Sequence, residues 1–290
     1  MFSELSSESS LTKIISYSHE LTPFKLWDTL SINSFKFFSS FRNEKIIDKS
    51  FIEKFYILKN YMKQYETSFK KFSQLDLVIL AGGKGTRIKK KLNNLPKPMV
   101  KFQKKDFLQY VINSFSKFPF RKIYILTGYR GNVIFKKYHN KEINFIKIKC
   151  LKEDKLLGTA GSLYNLRKKV NNFVLTNGDS IFEINLNKLI NSCSKNSFGS
   201  IALTKNVHQA SKKLNHLSLI KNKILIRKKG NLMNGGIYFF KKKIFKLIQN
   251  KNMSLENEIL FDLIKKKKIN GIFFNRIFHD IGTNKFLKKQ

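Results

Sequence analysis

An apolar run near residue 80 breaks into the loop Leu80-Ala81-Gly82-Gly83-Lys84-Gly85-Thr86-Arg87, and Pro96-Lys97-Pro98 follows a short way downstream. Glycine has no Cβ and tolerates positive φ, so such a loop can bring its backbone N–H groups close to a ligand. Consecutive N–H groups in a turn form a concave donor surface suited to phosphate oxygens. Arg87 adds a guanidinium that matches polyphosphate oxygens, and Lys97, held between two prolines, adds a point charge with a fixed approach. The lysine-Ser/Thr ending of the Walker loop is missing, and so is the third glycine of the dinucleotide fingerprint. The expected ligand is therefore a phosphorylated one, bound by neither of those commoner loops.

From about residue 75 onward, short β-branched or aromatic runs alternate with amphipathic stretches, the pattern of an α/β sheet with crossover helices. Strands are expected at 76–81, 122–127, 144–149, 173–177, 200–204, 236–240 and 271–278. Phe107, Leu108, Val111, Ile112, Phe115 and Phe118 recur at helical spacing, as do Leu255, Ile259, Leu260 and Leu263. These elements predict a Rossmann-like three-layer sandwich built on a mostly parallel mixed sheet, occupying residues 75–290 as one catalytic domain. Residues 1–74 read as a separate helical extension. There Phe51, Phe55, Leu58, Met62, Tyr65, Phe69 and Phe72 fall on one stripe of a helix, which must be covered either by the chain's own catalytic domain or by a second copy in a homo-oligomer.

The 290 residues are 42% hydrophobic, enough for a sizeable core. The formal charge of +38 would suit a nucleic-acid partner, but the lysines are scattered along the chain, and Lys, Asn, Ile and Phe are all abundant, as A/T-rich codons would make them. Nucleic acid is therefore not the expected partner. Cys150 and Cys193 cannot make a disulfide framework and match no metal spacing. The start of the chain carries Glu4 and Glu8 where a signal peptide is basic, and no run of ~18 apolar residues occurs, so a cytoplasmic protein without a membrane span is expected.

"LAGGKGTRIKKKLNNLPKP" resembles the signature of the sugar-1-phosphate nucleotidyltransferases, or nucleoside-diphosphate-sugar pyrophosphorylases, whose pattern is a G-G-x-G-T-R loop followed by P-K-P. "LLGTAGSLYNL", "FVLTNGDSIFEINL", "LMNGGIYFF", "MSLENEIL" and "FHDIGTNKF" stand in the family's order and approximate spacing. The resemblance implies that the loop from Leu80 to Arg87, with Gly158, holds a nucleoside triphosphate. It implies that Lys97 neutralises the reacting phosphates, that Asp179 and Asp280 coordinate Mg²⁺, and that Asn234, Gly235 and Glu256 receive the sugar. Lys228 would reach the sugar phosphate. Arg87, Lys97 and Asp179 would carry the catalysis.

Plainer readings stand beside these. Asp179 could cap a helix, Asp280 could form a turn, and Glu256 could serve a helix dipole. Asn177 with Gly178 could simply make a turn, and His279 beside Asp280 has packing as its simpler role. The family often has a carboxylate before the lysine that touches the sugar phosphate; here Arg227 stands in its place. Short members with similar segments resemble D-glycero-α-D-manno-heptose-1-phosphate guanylyltransferases, which implies GTP and heptose 1-phosphate as substrates and a product used for surface polysaccharide or glycoprotein. Mannose-1-phosphate guanylyltransferases and glucose-1-phosphate thymidylyl- or uridylyltransferases are the alternatives. An inactive regulatory or nucleic-acid-binding protein on the same fold is the alternative from another class.

Overall fold

The structure, a computed structural model, describes residues 63, 66–83, 85, 95–153, 155–205 and 216–281. The chain divides into two units, Met1–Lys71 and Phe72–Gln290. In the first, residues 63 and 66–71 are helical. The rest of the expected helical extension, including stripe positions Phe51, Phe55, Leu58, Met62 and Tyr65, lies outside the described residues. Phe72 belongs to the second unit, where it is wholly buried with its ring centroid 4.9 Å from that of Phe118 and 5.4 Å from that of Phe120.

The second unit is built on a mixed sheet. Its parallel centre consists of β1 (Asp76–Leu80), β4 (Lys122–Thr127), β6 (Ile146–Lys152) and β7 (Phe173–Asn177), in the order β7-β1-β4-β6. β2 (Lys101–Phe102) and β3 (Lys105–Asp106) form a separate hairpin, and β5 (Glu142–Ile143) closes one edge antiparallel to β6. Every residue of DLVIL in β1 is buried or nearly so, as a central strand covered on both faces requires. Successive side chains point to opposite faces. Leu77, Ile79, Ile123 and Ile125 join one core, whereas Val78, Tyr124 and Leu126 join the other. Helices α1 (Phe107–Phe115) and α2 (Gly131–Tyr138) cover the first face, with α3 (Leu186–Asn191) beside them; α4 (Phe261–Lys265) and the turns around it cover the second. Three layers result.

The remaining strands depart from the sequence expectation in two instructive places. β8 (Ser180–Phe182) and β9 (Gly199–Lys205) are followed by the hairpin β10 (Leu217–Ile220) and β11 (Lys223–Ile226). β12 (Leu232–Phe240) begins before the expected 236 and runs antiparallel between β7 and β9. The register slips between Asn234 and Tyr238, so the Asn-Gly-Gly segment forms a bulge inside the strand instead of a loop before it. The single strand expected at 271–278 is two: β13 (Asn270–Phe273) lies parallel to β9, and β14 (Phe278–Asp280) leaves the sheet to pair antiparallel with β8. No helix among the described residues is long and apolar enough to cross a membrane.

Candidate active site

The register of the central strands decides where the site lies. Leu80 stands level with Leu126 of β4 and Asn177 of β7, so three loops leave the sheet side by side at its carboxyl edge, where open α/β sheets bind ligands. A cleft of about 700 Å³ opens there. Of the residues expected at the site, Leu80, Ala81, Gly82, Gly83, Gly85, Lys97, Gly158, Asp179, Glu256 and Asp280 line it. Lys84, Thr86 and Arg87 lie outside the described residues. Lys228 is exposed in the turn after β11, and neither it nor Asn234 and Gly235 are among the lining residues.

The glycine loop is tied to its neighbours before any ligand is considered. Ala81 N–H donates to Leu126 O at 2.9 Å, and Tyr129 N–H donates to Gly82 O at 3.1 Å. A Cβ on Gly82 would stand 3.1 Å from the backbone nitrogen of Gly128, and one on Gly128 would stand 2.8 Å from Gly82 O. Glycine at 82 and 128 thus lets two loops touch. Gly83 has nothing within 4 Å of where its Cβ would be, so its bareness serves the open cleft and not the packing.

Lys97 sits at the start of a 3-10 turn, Lys97–Met99, whose Pro98 and Met99 are buried. With its backbone fixed in this way, its ammonium reaches both acidic residues: it donates to Asp179 Oδ2 at 2.6 Å and to Asp280 Oδ1 at 3.1 Å. The lysine side chain is 14% exposed, and the carboxylates are 35% and 29% exposed. Burial works to lower the Lys97 pKa, but the charges and hydrogen bonds of Asp179 and Asp280 outweigh it and hold the ammonium above the ordinary lysine value. Two backbone arrangements bring the carboxylates together. Gly178 N–H donates to Leu80 O at 2.8 Å and so fixes the turn before Asp179, while β14 pairs Asp280 with Ser180. Ile281 N–H then donates to Asp179 O at 3.1 Å.

Across the cleft, Gly158 opens a short helical turn, Gly158–Gly161, with φ at +72°. Its Cβ would meet Met253 O at 2.4 Å, and that of Gly161 would meet Lys251 O at 2.1 Å. The turn is pressed onto residues 251–253, where Ala160 N–H donates to Met253 O at 3.0 Å and Met253 N–H to Leu157 O at 2.9 Å. Glu256 lies on the following wide π-type turn, Leu255–Leu260, and accepts from Thr159 Oγ1 at 2.8 Å. It lines the cleft and also stands in the first turn of this segment, where Ser254 Oγ donates to it at 3.5 Å. Ser254 and Glu258 cap the same end: Ser254 Oγ accepts from Asn257 N–H, and Glu258 Oε1 accepts from Ser254 N–H.

The bulge in β12 accounts for the Asn-Gly-Gly segment locally. Asn234 Oδ1 accepts from Gly236 N–H at 3.0 Å, and its amide donates to the hydroxyl of the fully buried Tyr238 at 2.6 Å. A Cβ on Gly235 would stand 2.6 Å from the Phe182 ring, and Gly236, with φ at +70°, faces Asn177. Asn177 itself lines the cleft.

Sequence reasoning passed over Glu153 and Asn252, which also line the cleft, and took Thr159 only as a neighbour of Gly158 in "LGTAG". Glu153 follows β6 and turns its carboxylate inward, where Oε2 accepts from Leu157 N–H at 3.1 Å. Burial pushes its carboxyl up, partly offset by that N–H. The available signal was its place shortly before "LLGTAG"; the strand expected at 144–149 in fact runs to Lys152, which puts Glu153 at its end.

Comparison with known proteins came down on one family. The family described as Nucleotidyl transferase matches residues 77–214. A D-glycero-alpha-D-manno-heptose 1-phosphate guanylyltransferase of Campylobacter jejuni is 32% identical over 219 residues, covering 72% of this chain and 95% of its own. The Bifunctional protein GlmU of Methanocaldococcus jannaschii is 29% identical over 225 residues; the chain spans 51% of that protein's length. Among solved structures, HddC from Yersinia pseudotuberculosis superposes with a TM-score of 0.60 at 27% identity, covering 74% of this chain and 97% of that one. With the glycine loop, Lys97 and the two aspartates gathered at one sheet edge, and with a relative of this identity matched along almost its whole length, the chain belongs to the nucleotidyl transferase family.

Proposed function

We propose that the protein joins a nucleoside triphosphate to a sugar 1-phosphate, giving a nucleoside-diphosphate sugar and pyrophosphate. The observation that carries this reading is the convergence of Lys97, Asp179 and Asp280 beneath a bare glycine loop. An oxygen of the sugar phosphate attacks the α-phosphorus; a new P–O bond forms as the bond between that phosphorus and the bridging oxygen breaks, and pyrophosphate leaves with the electron pair. The attacking phosphate is already ionised, so no general base is required. The difficulty is bringing two anions together, and the remedy is charge and position.

Each part of the cleft has a place in that task. Backbone N–H groups of the glycine loop cradle the triphosphate, and Arg87 and Lys97 offset its charge. Asp179 and Asp280 fit a magnesium ion: both present hard oxygen donors to one point, already held there by the Lys97 ammonium. The ion would supply Lewis-acid neutralisation of the phosphate oxygens. Glu256, oriented by Thr159, is offered to the sugar hydroxyls.

GTP is the proposed donor. Guanine presents two adjacent donors, N1–H and N2–H₂, on its pairing edge, and the acceptor-only carboxylate of Glu153 at the cleft wall complements them. Heptose 1-phosphate is the proposed acceptor, in keeping with the name of the Campylobacter jejuni relative; mannose 1-phosphate and glucose 1-phosphate are the nearest alternatives. The reading places the enzyme in the cytoplasm, where nucleoside triphosphates are made. The test is a panel of nucleoside triphosphates against sugar 1-phosphates, with products identified by mass. A GDP-heptose product supports the full reading, and a different nucleotide sugar corrects only the substrates.

A further inference from the structure

We propose that Lys97 keeps Asp179 and Asp280 closed to a divalent cation until a triphosphate arrives, so that cation and nucleotide enter together. The inference rests on the reading of those two aspartates as metal ligands. The ammonium occupies the point on which both carboxylates converge, at 2.6 and 3.1 Å, and is nearly withdrawn from solvent. Its hold is built into the backbone: the lysine is set by a turn with buried Pro98 and Met99, Asp179 by the Gly178 hydrogen bond to Leu80, and Asp280 by pairing with Ser180. A bare cation would have to break both of these contacts to reach the carboxylates.

Charge and ligand number point the same way. One ammonium and two carboxylates sum to a single negative charge, so a divalent ion added at their meeting point leaves these three groups and the ion with a positive sum and sets the ion against the ammonium at close range, which is unfavourable. Among the described residues no cluster of three or more His, Cys, Asp or Glu exists to hold an ion by protein groups alone. A triphosphate removes both obstacles. Its oxygens complete the coordination of a hard cation, and they give Lys97 another anion to pair with.

The test is a titration of Mn²⁺ into the full chain without nucleotide, with free Mn²⁺ read by electron paramagnetic resonance. Lys97→Met should bind Mn²⁺ alone at least ~tenfold more tightly than wild type, the signature of an internal competitor removed. Mn²⁺ should also raise the melting temperature of Lys97→Met and leave that of wild type unchanged. Equal affinity in the two proteins overturns the proposal. Wild type decides the matter even if the variant does not fold: Mn²⁺ uptake without nucleotide as tight as uptake with a non-hydrolysable GTP analogue overturns it. Failure of the underlying reading looks different, because Lys97→Met would then bind no more Mn²⁺ than Asp179→Asn.

Discussion

Thr159 Oγ1 joins the Gly158–Gly161 turn to the Leu255–Leu260 turn, accepting from the backbone N–H of Leu255 and donating to Glu256 Oε2, each at 2.8 Å. Thr159→Val keeps the shape of the side chain but leaves the Leu255 N–H without its partner and frees the Glu256 carboxylate. The expected cost is about 1–3 kcal/mol of stability, measured by urea unfolding. A fall of about tenfold in kcat/KM should accompany it, with Thr159→Ser restoring most of both. A stability loss with unchanged kinetics would confine Thr159 to a structural role.

Gly158 and Gly83 should separate folding from binding. Alanine at 158 meets Met253 O at 2.4 Å in a backbone conformation with φ at +72°, so Gly158→Ala should destabilise by about 1–3 kcal/mol. Gly83 has open space where a Cβ would go, so Gly83→Ala should unfold within about 0.5 kcal/mol of wild type. Its affinity for a triphosphate should nonetheless fall, because the methyl group would stand where phosphate approaches. Urea midpoints and nucleotide titration on the two variants check both halves.

Much of this arrangement was legible in the sequence, for reasons that particular residues make clear. β4 and β7 fell where their β-branched runs placed them, because strands buried on both faces leave a continuous apolar signal. The resemblance implied that Asp179 and Asp280 share one ion, but neither their direct contact with Lys97 nor the way they are brought together was legible, since the latter depends on β14 leaving the sheet to pair with β8. The run GIFFNRIF hides that break: Ile272 and Phe273 of β13 face opposite cores, while Phe278 sits in the separate β8–β14 ribbon and packs back on the first of them. Asn234 likewise carries a readable motif, whereas its bulge and its bond to Tyr238 arise from pairing between strands distant in sequence. Glu153 escaped notice because a single glutamate at a strand end has no periodicity to mark it.

Base choice gives a test of Glu153. Glutamine at that position replaces one acceptor with an amide donor, which would face the N1–H and N2–H₂ donors of guanine and suit the carbonyls of uracil better. Glu153→Gln should lower the GTP-to-UTP ratio of kcat/KM by about tenfold or more. An unchanged ratio would place base recognition elsewhere in the cleft.

A buried aspartate far from the chemistry predicts part of the acid sensitivity of the fold. Asp106 is 3% exposed at its side chain and is paired with Lys101 at 2.9 Å and with Lys137. Burial works to raise its pKa, but hydrogen bonds and charge from Lys137 and Lys101 prevail and hold it below the ordinary aspartate value. A carboxyl lowered in the folded state contributes stability that is complete above its unfolded value, about pH 4, and is lost as pH falls through the folded value. Urea midpoints from pH 7 down to pH 3 should therefore decline less steeply in Asp106→Asn, which should also be less stable than wild type at pH 7.

The most direct measurement is pyrophosphate release from GTP and heptose 1-phosphate in the presence of Mg²⁺, with Asp179→Ala and a metal-free reaction run alongside. The account predicts steady release by wild type only when both substrates and Mg²⁺ are present, and a loss of at least ~10²-fold in Asp179→Ala, since removing an anchor of transition-state charge commonly costs that much. Release that persists undiminished in Asp179→Ala, or that proceeds equally without Mg²⁺, would contradict the assignment of the chemistry to the Lys97–Asp179–Asp280 cluster.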